Sequence, residues 1–381
     1  MEYKIGLLIA QSNTYSSSQD FFWGFKEGLK KVPDFPVKIF VENIGFGQKT
    51  AIQQQYEKMA LQNAPDIIVG MAQWRSLVGN EKVLNQYRIP ALFCDIGANL
   101  PLPQPLGEHI YFNSFNLWQS NFAMGKYLAK QGHKKVLYLS HFYDGGYHTP
   151  YAFCSGVSMG RGDYVMPFAI QDGYNEQEFE RLKMHIEQTK PDAIHALYSN
   201  PRHYVLLDWL KNNPQTKDIS LTANPYWVDD DLLLRNPNEH TIGILSANSW
   251  SRLSPNPINQ AIVSQFEEEE EETCSVFVMM GYEAGALLAK AYEALGDKWS
   301  KRKYFKSFLL DAKLDGPRDG HHFNSEYQCS FANHHLRKVE KTEGGLQNKV
   351  IRDLNIDESL TILKPLYEKP NSGWDNLYLC V

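Results

Sequence analysis

The sequence predicts an α/β protein with two lobes. The chain has 381 residues, 43% of them hydrophobic, so it is too long for a single core and too apolar to be disordered. Short apolar runs at 67–69 and 91–93 flank a segment with apolar residues at helical spacing, which indicates a strand–helix–strand unit. Strands joined in this way run parallel, so the loops that follow both strands open on one edge of the sheet. We expect a ligand to bind at that edge.

The first lobe alternates strands and helices from its beginning. A strand at 5–9 runs into a polar loop containing Ser12 and Tyr15, and the next helix carries Phe21 and Leu29 on one stripe. Such alternation indicates a sheet covered by helices. The predicted strands are 5–9, 37–41, 67–69, 91–93 and 111–113, with helices from 17, at 50–62 and between 77 and 87.

The second lobe repeats this architecture. A helix at 118–130 leads into strands at 136–140, 164–168, 193–197, 219–222 and 242–245, all but the last followed by a loop and a helical segment. A long apolar helix at 276–295 is predicted to return to the first lobe. The strand count requires return crossings, so we expect lobe one to comprise 1–117 plus 250–330, and lobe two 118–249 plus 331–381.

Charge and composition exclude several classes of protein. A net charge of -6 without a basic cluster argues against nucleic-acid binding, and no apolar run approaches the ~20 residues that a membrane-spanning helix needs. The first strand begins so early that no export signal fits before it, although a Met placed before a mature exported protein would give the same beginning. We therefore expect no membrane insertion.

Cysteine spacing and short motifs argue against metal and cofactor chemistry. The five cysteines are widely spaced, odd in number and without a Cys-x-x-Cys pair, which argues against a disulfide framework and a zinc site: Cys94, Cys154, Cys274, Cys329 and Cys380. Nucleotide-binding glycine motifs are absent too. We expect no cofactor and no metal.

One motif suggests an enzyme. Residues 156–160 match the Gly-x-Ser-x-Gly nucleophile elbow around Ser158, which requires a strand before the serine and a helix after it. Here the preceding residues favour a helix, and Arg161-Gly162 breaks the chain directly afterwards. A hydrolase that uses Ser158 is therefore a minor alternative, and we expect no enzymatic activity.

Four stretches of the chain carry a resemblance to a known family. They are 4–30, 65–99, the pair 132–136 and 191–193, and 314–323, where Asp315-Gly316-Pro317-Arg318 is the most specific phrase. Together they resemble the type I periplasmic binding proteins of the leucine/isoleucine/valine-binding family, which includes receptors for branched-chain amino acids, amides and urea. The likeness spans 4–340, and residues 341–381 match poorly.

The resemblance implies two Rossmann-like lobes, joined by a three-crossover hinge, that close on a small polar ligand. Such a receptor catalyses no reaction, passes its ligand to ABC permease subunits, is periplasmic or extracytoplasmic, and is a monomer or weak dimer. We expect the ligand to be an amino acid or a related carboxylate or amide. The positions that we predict to bind the ligand lie in loops of both lobes, and the resemblance assigns all of them except the first two: Ser12, Tyr15, Gln73, Trp74, Arg75, Ser76, Asp95, Gly97, Ala98, Asn99, Tyr143, Tyr147, Tyr198, Ser199, Asn224 and Tyr226.

The sequence departs from this family where the ligand should be. Trp74, Arg75 and Asp95 stand where small residues are usual, and the acidic position of lobe two holds Pro225 or Tyr226. Arg75 could clamp a carboxylate or bridge the lobes, and Asp95 could bind a donor or cap its loop. Two other functions stay open. One is a cytoplasmic ligand-sensing regulator of the same fold, favoured by the unpaired cysteines, and the other is a sugar-binding relative.

Overall fold

The computed structural model of the protein describes residues 2–171, 173–199, 204–311 and 314–370, in which two seven-stranded sheets are each flanked by helices. The first sheet has the order β11-β12-β5-β4-β3-β1-β2, and only β11 runs antiparallel to its neighbour. Its strands are β1 (Tyr3–Ile9), β2 (Val37–Asn43), β3 (Ile67–Met71), β4 (Ala91–Asp95), β5 (Ile110–Ser114), β11 (His322–Asn324) and β12 (Cys329–Phe331).

The second sheet has the order β14-β13-β10-β9-β8-β6-β7, with an antiparallel hairpin of β13 and β14 at one edge. β6, β8 and β9 are parallel neighbours, as expected for strands that alternate with helices. Its strands are β6 (Lys135–His141), β7 (Tyr164–Ile170), β8 (Ala193–Leu197), β9 (Ser220–Ala223), β10 (Leu245–Asn248), β13 (His334–Thr342) and β14 (Gly345–Leu354). The prediction of two α/β lobes is confirmed.

Helices cover both sheets. Those of the first half of the chain are α1 (Ser17–Leu29), α2 (Lys49–Gln62), α3 (Trp74–Leu77), α4 (Glu81–Tyr87), α5 (Leu117–Lys130), α6 (Thr149–Met159) and α7 (Glu176–Thr189). The later ones are α8 (Tyr204–Asn212), α9 (Asp230–Arg235), α10 (Pro257–Glu270), α11 (Val276–Leu295), α12 (Arg302–Asp311) and α13 (Leu363–Tyr367).

The predicted long helix α11 does return to the first sheet, where it packs against α1. The two backbones approach so closely that a Cβ on Gly24 would lie 2.0 Å from the carbonyl oxygen of Val278, and one on Gly281 would lie 2.0 Å from that of Phe21. Glycine at these positions is therefore required by backbone contact rather than by a turn.

The chain passes between the two sheets three times, after β5, after β10 and after β12. Buried polar contacts join these crossings around Arg318 and form the hinge network (Asn113, Ser114, Ser249, Glu283, Arg318). The Arg318 guanidinium donates to both carboxylate oxygens of Glu283 at 2.7 Å and to the carbonyl oxygen of Ser114 at 2.8 Å. It also lies 4.0 Å from the centre of the Phe115 ring. One cation thus ties α11 to the first crossing.

Two local predictions differ from the structure. The predicted helix between 77 and 87 is two helices, α3 and α4, because Gly79 adopts φ +88° and ends the first of them. The segment 73–76, predicted as a loop, is helical from Trp74 onward, because α3 begins there. The predicted strand 242–245 lies three residues later, as β10, because a helical turn at 239–241 is followed by Gly243 at φ +86°, which is not a strand conformation.

Candidate functional site

The carboxyl ends of the parallel strands of both sheets face each other across one cleft. On the lobe-one side, Asn99 follows β4, and on the lobe-two side, His148 lies between β6 and α6. The Nδ1–H of His148 donates to Oδ1 of Asn99 at 2.9 Å, and both side chains are buried. At the other side of the cleft Arg235 donates to the carbonyl oxygen of Thr14 at 3.2 Å. Direct contacts therefore bridge the two sheets at the predicted edge.

Polar side chains from the segments that follow β3 and β4 form the lobe-one wall. The Asn99 amide donates to Oε1 of Gln73 at 2.5 Å, so Gln73, Asn99 and His148 make one buried chain of hydrogen bonds. The Arg75 guanidinium lies 4.8 Å from the Trp74 ring centre, a cation–π contact. Burial, and then the positive charge of Arg75, lower the pKa of His148 to about 4. His148 is therefore neutral at pH 7, and Arg75 supplies positive charge to the cleft.

A buried carboxyl group lies on the lobe-two wall. Oδ1 of Asp144 accepts a hydrogen bond of 2.9 Å from the Ser199 hydroxyl, and Asp144 is 1% exposed. Burial raises its pKa to about 8, with the Ser199 hydrogen bond opposing the shift. Burial raises the pKa of Tyr174 and Tyr198, and the Asp144 carboxyl group adds to both shifts. A donor or cation that enters the cleft would favour the ionised form of Asp144.

A second group of buried polar side chains joins the lobes near Tyr226. Burial raises the pKa of Asp229 to about 8. Burial, and then the Asp229 charge, raise the pKa of both Tyr15, from lobe one, and Tyr226, from lobe two. Neither tyrosine hydroxyl has a hydrogen-bond partner among the described residues, although both are buried. Buried hydroxyl groups are almost always paired with protein, water or ligand, so this part of the cleft suits a polar occupant.

Several predicted site residues serve the protein's own loops. The Ser12 hydroxyl accepts from the amides of Thr14 and Tyr15, at 3.1 and 3.2 Å. Gly97 accepts from the amide of Trp118 at 2.9 Å, and Oδ1 of Asn224 accepts from the amide of Trp227 at 3.1 Å. These contacts shape the loops that carry the cleft, so direct ligand contact by these three residues stays a prediction.

The remaining predicted residues divide by exposure. Ser76, Ala98, Tyr147 and Tyr198 are buried, whereas Tyr143 is 46% exposed at the rim. Burial raises the pKa of Asp95 to about 7, while hydrogen bonds from Ser114 and the Gly97 amide oppose the shift. Both predicted roles of Asp95, binding a donor or capping its loop, stay predictions.

Three buried residues of the cleft were missed by sequence reasoning: Asp144, His148 and Asp229. Asp144 and His148 flank the predicted Tyr147, directly after β6, so their position at the end of a parallel strand was an available signal. For Asp229 the signal was weaker, because it stands in an acidic run, 229–231, at the start of α9.

The protein also contains two cavities that lie away from the centre of the cleft. One, of about 540 Å³, opens beside the loop after β1 and is lined by Ser12, Asn13 and Tyr15. The other, of about 670 Å³, lies at the opposite edge of the first sheet and is lined by Arg88, Lys301 and neighbouring residues. Because parallel α/β sheets bind ligands at their carboxyl edge, we place the site in the cleft rather than in the larger cavity.

The site offers binding groups rather than a catalytic nucleophile. Ser158 lies exposed in the last turn of α6, so the strand–turn–helix geometry of a nucleophile elbow is not formed there. Within 2–171, 173–199, 204–311 and 314–370, no three His, Cys, Asp or Glu side chains are placed to hold a metal ion. A search of the same residues for a helix of membrane-spanning length and hydrophobicity found none.

Two α/β lobes with a polar cleft between them are typical of receptors that hold a ligand between their lobes. The chain belongs to the periplasmic binding protein family, whose sequence profile matches residues 2–337. The family that the resemblance indicated is therefore confirmed, and it is a family of binding proteins.

Solved structures agree with this fold. An ABC transporter substrate-binding protein from Sphaerobacter thermophilus superposes with a TM-score of 0.81 at 18% identity, covering 93% of this chain and 98% of that one. A solute-binding protein from R. palustris in complex with 4-hydroxybenzoate gives 0.77 at 19%, covering 96% and 100%. A leucine-binding protein from Thermotoga maritima gives 0.69 at 16%, covering 92% and 99%. No curated protein sequence matches this chain.

Proposed function

We propose that the protein closes its two lobes on a small solute that carries a carboxylate, either an amino acid or an aromatic acid, and delivers it to an ABC importer. The observation that carries this proposal is the position of Arg75. Its guanidinium comes from the carboxyl edge of the first sheet and is close enough to His148, on the second, to lower the pKa of that imidazole. A cation in a buried interlobe cleft suits an anionic ligand group.

The opposite wall suits the rest of such a ligand. Asp144 and Asp229 are buried acids whose pKa values are raised to about 8, and an ammonium or hydroxyl donor would stabilise their ionised forms. Tyr198 and Tyr226 add buried aromatic surface. The similar structures include one bound to 4-hydroxybenzoate and one named for leucine, so both ligand classes have a precedent in this fold.

The lobe boundaries belong to the same proposal. We place 1–117 plus 250–330 in lobe one and 118–249 plus 331–381 in lobe two, although 371–381 lie outside the described residues. Closure then requires a ligand that contacts both lobes, because only differential contacts shift an open–closed equilibrium. For a protein of this family we propose a periplasmic or extracytoplasmic location.

A second candidate is a cytoplasmic sensor with the same ligand chemistry. It is favoured by the cysteines: Cys94, Cys154, Cys274 and Cys329 are all free thiols, as is usual in a reducing compartment. The cleft serves both functions equally well. Import and sensing differ in the partner that recognises the closed form.

The decisive experiment identifies the ligand. Protein purified without added solute is denatured, and the released small molecules are identified by mass spectrometry. In parallel, thermal unfolding is measured with L-leucine, L-phenylalanine, benzoate and 4-hydroxybenzoate. We expect a carboxylate to be released, or an added carboxylate to raise the melting temperature. At a ligand concentration of 100 times Kd, binding should increase the free energy of unfolding by about 2.7 kcal/mol. A bound neutral sugar would overturn the carboxylate proposal and favour the sugar-binding relative.

A further inference from the structure

We propose that the C-terminal strap, residues 355–370, is a fourth link between the lobes that positions the ligand-binding loop 95–102. The strap follows β14, the edge strand of the second sheet, and lies beyond the residues that match the family profile. It consists of a helical turn over 357–362 and the short helix α13.

The first half of the strap is attached to lobe two. The Gln119 amide of α5 donates to the Ser359 hydroxyl at 2.7 Å, and both side chains are buried. Lys126, two helical turns further along α5, forms an ion pair with Glu358. A buried hydrogen bond fixes this end more firmly than the ion pair, because Glu358 is half exposed and its charge is screened by solvent.

The second half is attached to lobe one. The Tyr367 hydroxyl donates to the carbonyl oxygen of Pro101 at 2.9 Å, in the loop that leaves β4. Burial raises the pKa of Tyr367, and Tyr327 and Cys329, from the β11–β12 region of the first sheet, add to the shift because they lie near it. Leu363 and Leu366 of α13 are buried as well. The strap thus spans from one sheet to the other.

The lobe-one attachment lies directly behind the candidate site. Leu100, next to Pro101, accepts a hydrogen bond of 2.6 Å from the indole N–H of Trp74, and Trp74 stacks on Arg75. Asn99, one residue earlier, donates to Gln73 and accepts from His148. A strap that holds Pro101 therefore restricts both the residue that stacks on Arg75 and the residue that bridges the lobes.

The functional consequence is preorganisation. A loop that is already ordered before the ligand arrives loses less conformational entropy on binding, so affinity rises without a new ligand contact. A strap bound to both lobes also limits how far the cleft opens. Tyr367 and Ser359 are positioning residues in this proposal, since neither lies in the cleft.

The test needs no ligand. Hydrogen–deuterium exchange of a peptide covering 95–102 is compared in wild type, Ser359→Ala and Tyr367→Phe, and Trp74 is observed by ¹⁹F NMR after 5-fluorotryptophan labelling, assigned with Trp74→Phe. Ser359 attaches the strap to lobe two. We nevertheless expect Ser359→Ala to accelerate exchange in the lobe-one loop 95–102 about threefold to tenfold, because the loss of one hydrogen bond has an effect of this size. We also expect the Trp74 resonance to shift.

Lys364→Ala, an exposed change in the same strap, is the matched control and should alter neither signal. If Ser359→Ala unfolds at a lower midpoint, Gln119→Met replaces it, because it removes the same hydrogen bond from the other side. Unchanged exchange and an unchanged Trp74 resonance in the lobe-two variant would overturn the link between the lobes, even if Tyr367→Phe has a local effect. Neither result depends on which solute the cleft binds.

Discussion

The hinge network and the cleft both contain buried acidic side chains, but the pKa values of these acids are shifted in opposite directions. Glu283 accepts two hydrogen bonds from Arg318 and one from Asn113, and these partners lower its pKa despite complete burial. Asp144 and Asp229 are equally buried, yet burial outweighs their partners and raises the pKa of each to about 8. The hinge partners therefore stabilise the ionised form of their acid. In the cleft, the partners do not outweigh burial, and a donor on a ligand would stabilise the ionised forms further.

The largest effect is expected from breaking the hinge network. Arg318→Met leaves Glu283 buried without its cation, so the free energy of unfolding should fall by about 3–5 kcal/mol. Urea unfolding followed by circular dichroism measures this. Lys341→Ala, which removes an exposed ion pair with Glu239, should leave the midpoint unchanged. If Arg318→Met is as stable as wild type, Arg318 does not stabilise the buried Glu283 carboxylate as we infer.

Removing the cleft cation should affect binding and spare folding. Arg75→Ala is expected to weaken binding of the copurified solute by about 2–5 kcal/mol, the range for removing one partner of a buried charge pair. Calorimetric titration measures the affinity, and circular dichroism verifies the fold. Arg88→Gln, at the opposite edge of the sheet, is the charge-matched control. Equal affinities for Arg75→Ala and wild type would remove Arg75 from the site, and with it the main reason to expect a carboxylate.

The two regions should respond to pH in opposite directions. The folded pKa of Asp144 lies above its ordinary value of 3.8, so the folded state binds more protons between about pH 4 and pH 8 and loses stability as pH rises through that window. Each such acid contributes a slope of at most about 1.4 kcal/mol per pH unit. Glu283, with a lowered pKa, loses its stabilising effect as pH falls below its ordinary value of 4.5.

Asp144→Asn should therefore flatten the decline of stability between pH 4 and pH 8, measured as urea midpoints across that range. The exposed change Asp163→Asn serves as the control and should leave the decline as it is in wild type. A decline of unaltered steepness in Asp144→Asn would show that this acid is not perturbed by burial.

The smallest effect should come from the interlobe hydrogen bond. His148→Phe keeps the ring but removes the donor to Asn99, which should disfavour the closed form by about 0.5–1.5 kcal/mol. Small-angle X-ray scattering of the protein without added solute should then give a larger radius of gyration. His322→Phe, an exposed position, controls for the substitution. A more compact His148→Phe protein would contradict the bridging role.

The sequence alone determined the architecture and the edge of the sheets that carries the cleft. Apolar runs such as 67–69 and 91–93 cannot be solvated, so they form buried strands, and the helical spacing between them forces parallel pairing. That reasoning located Gln73, Arg75 and Asn99 at one edge. The phrase Asp315-Gly316-Pro317-Arg318 also indicated the family, which the profile match over 2–337 confirms.

Only the tertiary structure decided which residues meet. His148 pairs with Asn99 from 49 positions away, and Arg318 pairs with Glu283 from another element, contacts that depend on how the two lobes pack rather than on local periodicity. The C-terminal strap ends against Pro101, 266 positions from Tyr367 in sequence. Side-chain pairing over such separations is set by the packing of whole elements, and hydrophobic periodicity carries no information about it.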